Sequence, residues 1–430
     1  MADNTPIYNL KAVIKEVGLS PATLRAWERR YGLVKPQRSP GGHRLYSRQD
    51  IEVLKWLVER QNEGLSISSA VEMWKTINEG DQNIAPQIHA RVMVSSTDEA
   101  IIDELRDQWI DACLAFDDHT ANLILDQAYA IAEPEMVSMK VLQKGLSRIG
   151  EGWYDGSISV QQEHFVSAIA MRRLNTILAA TSAPTRTACI LAACPPGEEH
   201  DFILLMITYL LRRNGWNVLY LGSNVPLQSL DATLQSTKPS LILSAAQTLN
   251  SAASLREMSE YLVNQGIPLA FGGGIFNLVS ATTQRISGYY LGTNIAMVPQ
   301  IVELLVVAPP LMPNAQPVSP VVTQTLASFI QNEAVIIADV ASTMRAESID
   351  PAHLEIANTN LTQLIAAGLT LGDINLVDHS IAWLNGLLEN YGLPTSTARQ
   401  FYGTYRQAVE RYLGAEGGII QDWLIKINNL

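Results

Sequence analysis

Short apolar segments alternate with longer segments of mixed polarity in the middle of the chain. The apolar segments, each short enough for a buried strand, are residues 187–194, 217–222, 239–244, 267–272 and 289–292. Helices are expected between them, at residues 202–214 and residues 224–234. The first has two arginines in its last turn and is followed by Gly215 as a stop. Strands that alternate with helices predict a doubly wound, Rossmann-like parallel sheet, here over residues 184–307.

Amphipathic segments without strands lie on both sides of this region. Four precede it, at residues 98–114, 118–130, 134–150 and 159–180. Their short connections predict an up-and-down four-helix bundle over residues 97–183. After a proline-rich segment at residues 308–320, which is typical of a stiff linker, the chain is again amphipathic. The five helices expected there are residues 323–344, 351–367, 371–391, 396–413 and 417–427. They predict an all-helical domain over residues 321–430.

The first 77 residues have the pattern of a winged helix-turn-helix. Residues 8–17 and 22–31 predict two short helices that are joined by a turn. Residues 36–46 predict two extended arms around a Pro-Gly-Gly turn. Ser47 and Asp50 have the spacing of a capped helix start, so a third helix is expected to follow the wing.

Length and composition indicate an ordinary multidomain protein. A chain of 430 residues is expected to form about three domains, with a linker at residues 78–96. No apolar run approaches the roughly 20 residues that span a bilayer, and the start of the chain lacks a secretory pattern. Cys113, Cys189 and Cys194 have neither metal-binding nor disulfide spacing, which suits a reducing compartment. We therefore predict a cytoplasmic protein with no membrane partner.

Positive charge is concentrated near the N-terminus. Residues 1–80 contain 12 Lys or Arg against 9 Asp or Glu, whereas the remainder contains 18 against 33. Residues 20–48 hold seven basic residues and a single acid, Glu28. A basic helix-turn-helix on an acidic protein predicts double-stranded DNA as the partner of this region. The residues expected to contact DNA are Thr23, Arg25, Arg29 and Arg30 on the second helix and Arg38, His43, Arg44 and Tyr46 on the wing.

A polar loop, residues 197–201, follows the first predicted strand of the sheet. Open parallel sheets bind ligands at the carboxyl ends of their strands, so this loop is a candidate site. His200 is a potential metal ligand, and Glu198 is placed to hold one nitrogen of its ring. Taken alone, a histidine in a solvated loop explains the same residues. Small residues end other strands, at Ser244 and at Gly272 and Gly273, and predict a crevice lined by backbone.

These residues together resemble the Rossmann-like cobalamin-binding domain. Its signature is an acid, one residue, His, two residues and Gly, then a strand that ends in Ser and a Gly-Gly pair. The resemblance implies that His200, supported by Glu198, is the lower axial ligand of cobalt. It also implies that Ser244, Gly272 and Gly273 line the site of the cofactor's tail. Ile203 stands where the family has glycine, at a position that the tail passes.

Two further motifs resemble one family of regulators. The run Arg-Ala-Trp-Glu-Arg-Arg-Tyr-Gly, followed by Gly-Gly-His-Arg-Leu-Tyr-Ser, resembles the DNA-binding domain of MerR-type regulators, which bind twofold operators as dimers. Trp153, nine residues and then Glu163-His164 resemble the cap of the cobalamin-dependent, light-sensing members of that family. The resemblance implies that Trp153, Glu163 and His164 cover the upper face of the cofactor and contact its 5'-deoxyadenosyl group.

One residue of the cap departs from the family. Better-known members have, directly after the Trp, a histidine that binds cobalt once light has broken the Co–C bond; Tyr154 stands here. A phenol is protonated at neutral pH and is a poor ligand for such cobalt. The illuminated state is therefore expected to carry water, or His164, on the upper face.

The resemblance implies a transcription factor rather than an enzyme. We expect a repressor that binds operator DNA in the dark with adenosylcobalamin and changes its oligomeric state, dimer or tetramer, in light. The alternative is a MerR-type regulator that senses another ligand, including biliverdin or another tetrapyrrole held noncovalently in the C-terminal helices. The residues that suggest it are His379, Trp383, Tyr402, Tyr405 and Trp423. A packed structural domain, a dimerisation module or a docking module explains the same helices.

Overall fold

The computed structural model describes two compact units, which are residues 1–93 and residues 94–430. In the first unit it describes mainly residues 8–17 and 44–62, with isolated positions between 6 and 38 and at 71. In the second it describes residues 96–228, 230–345, 351–381 and 395–428.

The first unit contains a small antiparallel sheet and the helices that pack on it. Its elements are β1 (Tyr8–Asn9), α1 (Leu10–Val17), β2 (Gln37–Arg38), β3 (Arg44–Tyr46) and α2 (Arg48–Asn62). The two arms of the wing pair as predicted, with Arg38 opposite Arg44. Residues 8 and 9 form a strand rather than helix, because the Asn9 side chain accepts a hydrogen bond from Ala12 N and so begins α1 at residue 10.

The described part of the second helix has the predicted buried face. Leu24 and Trp27 are buried in one core with Val13, Tyr46 and Leu54. Ser47 and Asp50 form reciprocal hydrogen bonds at the start of α2, as their spacing predicts. Most of the predicted helix at residues 22–31 and most of the linker at residues 78–96 lie outside the described residues.

The second unit begins with the predicted helical bundle. Its helices are α3 (Ser96–Leu114), α4 (Asp118–Ile131), α5 (Pro134–Val137), α6 (Lys144–Tyr154) and α7 (Val160–Ala179), with a π-helical segment, Ser138–Gln143, between α5 and α6. Trp109 is fully buried at its centre. Gly145 allows α6 to approach that indole, because a Cβ at this position would overlap the ring. Ser159 and Gln162 form a capping box that begins α7.

A five-stranded parallel sheet follows the bundle. Its strands are β4 (Cys189–Ala193), β5 (Asn217–Gly222), β6 (Leu241–Ala245), β7 (Leu269–Gly272) and β8 (Tyr289–Tyr290). The helices between and after them are α8 (Phe202–Arg213), α9 (Leu230–Thr237), α10 (Leu249–Gln265), α11 (Gly274–Leu278) and α12 (Val298–Val307). The strand order is β5-β4-β6-β7-β8, so the predicted doubly wound sheet is confirmed. The order reverses between β4 and β6, and ligands bind at such a switch point.

The helix predicted at residues 224–234 begins later than expected, at Leu230. Asn224 has a left-handed backbone with φ of 50°, and its side chain bonds to the loop after β4. A left-handed residue cannot continue a right-handed helix, so the described residues 224–228 form no helical turn. The segment supports the candidate site instead.

The C-terminal region is helical, as predicted. It contains α13 (Pro320–Met344), α14 (Pro351–Thr370), α15 (Thr395–Leu413) and α16 (Gly418–Asn428). The helix predicted at residues 371–391 is wrong in its first part: Gly372 has φ of 83°, and Asp373 caps a 3-10 turn, Ile374–Val377. Residues 382–391 lie outside the described residues.

The C-terminal helices share a hydrophobic core with the sheet. Leu255 and Leu262 on α10 and Leu361 and Ile365 on α14 belong to one buried cluster. The predicted linker at residues 308–320 is bound along the sheet domain rather than extended between domains, since its backbone forms hydrogen bonds with residues 284 and 288. The helical region therefore packs directly on the ligand-binding fold.

One helix among those described, α13, is long and apolar enough to cross a membrane by length and composition. Polar residues interrupt it, so it contains no continuous apolar run of the kind sought in the sequence. Its buried residues, Thr325, Phe329, Ile336 and Val340, recur at helical spacing, and it packs on α14 and α15. One face of α13 is therefore buried in the helical domain, and a single helix of such apolarity is a weak indication of a membrane span.

Arg256 on α10 holds the proline-rich segment in place. Its buried guanidinium donates to the backbone oxygens of Arg285 at 2.9 Å and Gln316 at 3.1 Å. We expect Arg256→Met to leave both oxygens without a charged donor, and to speed hydrogen exchange of the Ala315 and Gln316 amides at least about tenfold. Exchange followed by mass spectrometry measures this.

The matched control is Arg406→Met, which removes an exposed ion pair with Glu410 on α15. Such pairs contribute little, so exchange at the segment should not change. Equal protection in both variants would show that Arg256 does not hold it.

Candidate functional site

His200 and Glu198 form the centre of the candidate site. Glu198 Oε1 lies 2.8 Å from His200 Nδ1 and also accepts a hydrogen bond from His200 N at 2.8 Å. The Glu198 side chain is 1% exposed, whereas that of His200 is 71% exposed. Nε2 of His200 bonds to none of the residues that the structure describes. The ring is therefore fixed at one nitrogen and available at the other.

The other oxygen of Glu198 joins this loop to the neighbouring strand. Glu198 Oε2 accepts hydrogen bonds from Ser251 Oγ and from Gln247 N, both at 2.6 Å. Ser251 lies in the first turn of α10 and forms a capping box with Thr248. The sequence analysis missed Ser251 and Gln247 as site residues. The spacing of Thr248 and Ser251 after a predicted strand is the signal that marks this helix start.

Two contacts support the loop from the side of β5. Asn224 Oδ1 accepts a hydrogen bond from Gly197 N, and its amide donates to Glu199. Tyr220 OH donates to Asp201 at 2.6 Å, and burial together with this bond raises the pKa of the Tyr220 phenol. The loop is thus held from both neighbouring strands, so His200 has a defined position above the switch point.

Hydrogen bonding determines the charge at the centre. Burial alone raises the pKa of Glu198, but the bonds from His200, Ser251 and the Gln247 amide outweigh it, and the net shift is downward. The bond to Glu198 raises the pKa of His200, and the charge of Glu163 adds to that effect. Glu163 on the bundle therefore lies within electrostatic reach of His200.

The strand ends beside this centre leave room for a ligand. Ser244 Oγ is buried and has no hydrogen-bond partner among the described residues. Gly273 must be glycine, because a Cβ there would overlap the backbone oxygen of Ala246. A Cβ on Gly272 would meet nothing within 4 Å. An unsatisfied hydroxyl next to open space fits the polar edge of a bound tail.

The donor set fits a metal that brings most of its own ligands. No group of three or more His, Cys, Asp or Glu side chains in the described residues is arranged to hold a metal ion. A single supported imidazole fits a cobalt corrin, because the macrocycle would itself supply most of the ligands of the metal. His200 is the residue that would hold cobalt, with Ser244, Gly272 and Gly273 along the tail.

The three cap residues lie at the end of the bundle. Trp153 is near the end of α6 and is 39% exposed, and Glu163 and His164 lie in the first turn of α7. Phe202, two residues after His200, packs against the hydrophobic core of the bundle. The roles of the cap residues toward a cofactor stay predictions.

The two departures from the family pattern have defined positions. Tyr154 ends α6 and is exposed. Ile203 is partly buried in the first turn of α8, where it packs against the buried clusters that contain Ile207 and Leu210. An effect of Ile203 on the path of the cofactor's tail stays a prediction.

The structure corrects one residue of the predicted DNA surface. Tyr46 is fully buried, and its hydroxyl donates to Glu28 at 2.5 Å, so it does not project from the wing. The reason is that Glu28, the acid of the basic region, lies beneath the wing and also pairs with Arg44 at 3.1 Å. Tyr46 positions the wing instead of contacting phosphates.

The other predicted DNA contacts are untested. Thr23 and Arg44 are partly exposed, and Arg38 lies in β2. The remaining members, Arg25, Arg29, Arg30 and His43, lie outside the described residues.

Three of the five residues that suggested a tetrapyrrole in the C-terminal helices are core residues. Tyr402, Tyr405 and Trp423 are buried in the cluster shared with the sheet, and Trp423 donates to Asp378 at 2.8 Å. His379 is exposed, and Trp383 lies outside the described residues. These positions fit a packed structural domain, and a bilin there stays a prediction.

Two family models match the chain. One, described as a MerR HTH family regulatory protein, matches residues 8–76, and the other, described as a B12 binding domain, matches residues 105–178. A solved structure of a Methanosarcina barkeri monomethylamine corrinoid protein is similar at 19% identity, with a TM-score of 0.41; the match covers 48% of this chain and 98% of that one.

Two curated relatives come from Myxococcus xanthus. The transcriptional repressor CarH is 30% identical over 67% of this chain and 95% of its own length. The transcriptional repressor CarA is 29% identical over 54% of this chain and 74% of its own length. Both are regulators rather than enzymes, in agreement with the prediction for this chain. The protein therefore belongs to the family of CarH and CarA, the MerR-type transcriptional regulators that carry a B12-binding domain.

Proposed function

We propose that this protein is a light-responsive repressor that uses adenosylcobalamin and acts on operator DNA in the cytoplasm. In the proposal it binds the operator in the dark as a dimer or tetramer and changes its oligomeric state in light. Bound adenosylcobalamin would supply a Co–C bond that light breaks. The observation that carries the proposal is the supported His200 at the switch point, with the exposed Trp153 and the half-buried Glu163 on the adjoining bundle.

The contact between the bundle and the sheet indicates how the loss of a group from the upper face of the cofactor would affect the protein. Leu174 and Leu178 on α7 pack against Leu205 and Tyr209 on α8, the helix that begins two residues after His200. This interface lies on one side of the candidate site. An adenosyl group between Trp153 and the sheet would add a second support, and its loss would leave only the first.

DNA affinity depends on assembly in this proposal. A MerR-type domain reads one half of a twofold operator, so one chain supplies one reader. Two readers on one particle bind with an effective concentration that one reader lacks. Separation of subunits in light would therefore release the operator without any change in the DNA-binding surface.

Loss of the Glu198 support should weaken the hold on cobalamin. We expect Ser251→Ala to raise the cobalamin dissociation constant about tenfold, because it removes one of the two hydrogen bonds to Oε2 of the carboxylate that orients His200. His200→Ala should remove the imidazole-ligated absorbance spectrum as well. Titration followed by absorbance measures both.

Ser254→Ala, one turn along the same helix, is the matched control and should bind cobalamin normally. Equal affinity in Ser251→Ala and Ser254→Ala would contradict the role assigned to the Glu198 contact.

Light should change both assembly and DNA binding. We expect protein loaded with adenosylcobalamin in the dark to bind its operator as an oligomer, and green light to dissociate both complexes. Mass photometry and gel-shift assays measure the two effects. Red light, which alkylcobalamins absorb weakly, is the control. A response to red light only would favour a bilin in the C-terminal helices, and no response to either would contradict the light function.

Two variants of the DNA-binding unit should distinguish a residue that contacts phosphate from a residue that positions the wing. We expect Arg29→Ala to lower the slope of log affinity against log salt by about 1, as for the loss of one phosphate contact. Tyr46→Phe removes the bond to Glu28 and should lower affinity while the slope stays unchanged. A change of slope in Tyr46→Phe would place that hydroxyl at the DNA after all.

A further inference from the structure

The bundle repeats the arrangement of side chains that supports His200. At His200, the ring nitrogen Nδ1 bonds to Glu198, and the other oxygen of Glu198 accepts a bond from Ser251 at 2.6 Å. At His164, Nδ1 lies 2.6 Å from Glu163 Oε2, and Glu163 Oε1 accepts a bond from Ser167 Oγ at 2.7 Å. Each histidine is thus the end of a Ser-Glu-His chain.

The second chain leaves its imidazole equally available. The His164 side chain is 75% exposed, close to the 71% of His200. Its Nε2 bonds to none of the described residues. Ser167 and Glu163 lie one helical turn apart on α7, so a rigid helix holds the carboxylate. This is the arrangement by which proteins orient a metal-binding imidazole.

The two chains belong to adjoining surfaces. Phe165, directly after His164, and Phe202, two residues after His200, both pack against the hydrophobic core of the bundle. Helix α7, which carries His164, also packs on α8, which begins two residues after His200. The bundle and the sheet thus each contribute one supported histidine.

We propose that His164 is a second axial ligand of cobalt, binding through Nε2 when no alkyl group occupies the upper face. The inference rests on the proposed cobalamin site and adds the residue that closes it. In this step the lone pair of His164 Nε2 takes the place of a water on cobalt(III), the water leaves, and no electron is transferred. The bundle would then be tied to the sheet by a coordinate bond across the site.

Tyr154 does not compete for this role in the proposal. Its position at the end of α6 is the one used by histidine in the better-known members of the family, but a phenol is protonated at neutral pH and binds cobalt poorly. His164 is the candidate with a supported nitrogen. The substitution at position 154 would thus move the upper ligand from α6 to α7.

The experiment uses the full chain loaded in the dark with hydroxocobalamin, which has no alkyl group and needs no light. We expect the native protein to have the absorbance spectrum of cobalt with two imidazole ligands and to exchange its upper ligand slowly for cyanide. His164→Ala should have the spectrum of the water-ligated form and react with cyanide at least about tenfold faster. Added imidazole should restore the native spectrum.

Three further variants test the assignment. Ser167→Ala, which loosens Glu163, should give an intermediate exchange rate. His119→Ala, an exposed histidine on α4, is the matched control and should behave as native protein. Tyr154→Phe should also behave as native protein, and a water-ligated spectrum in that variant would overturn the proposal in favour of Tyr154.

The outcomes separate this inference from the light function. Native spectrum and exchange rate in His164→Ala, with cobalamin retained, would overturn the ligand assignment alone. Failure of native protein to retain hydroxocobalamin would overturn both. A changed spectrum in His164→Ala together with no response of DNA binding to light would support the ligand and remove the light function.

Discussion

The site depends on one buried carboxylate. Glu198 is almost fully enclosed, and a buried charge is tolerated only where hydrogen bonds replace water. Its donors come from its own loop, from the residues after β6 and from the first turn of α10. The same bonds that keep Glu198 charged therefore fix His200 and join the two strands at the switch point. Removal of one of these donors to Glu198 would therefore loosen both the His200 ring and the edge of the sheet.

Much of this arrangement could be predicted, because it follows local rules. Apolar periodicity located the strands and most helices, and residue spacing located the cap at Ser47. The pair Glu198 and His200 lies two residues apart, so their contact is visible in the sequence. Fold class and family followed from such local signals.

Contacts between distant residues could not be predicted in the same way. Ser251 is 53 residues from Glu198, and no periodicity connects them. Asn224 lies in a segment that the sequence predicts to be helical, but its side chain bonds to Gly197 in the loop after β4. Tyr46 lies in a segment predicted to be exposed, but its hydroxyl bonds to Glu28 and the side chain is buried. In each case a polar partner that is distant in the sequence overrode the local pattern.

Helix α10 connects the C-terminal region to the candidate site. Its first turn bonds to Glu198 through Ser251, and its length packs against α14 in one continuous core. Arg256, in the middle of the same helix, binds the segment that leads to α13. A rigid helix shared by two functions cannot move at one end without disturbing packing at the other. Helix α10 therefore joins the carboxylate that orients His200 to the core of the C-terminal helices, in which Tyr402, Tyr405 and Trp423 are buried.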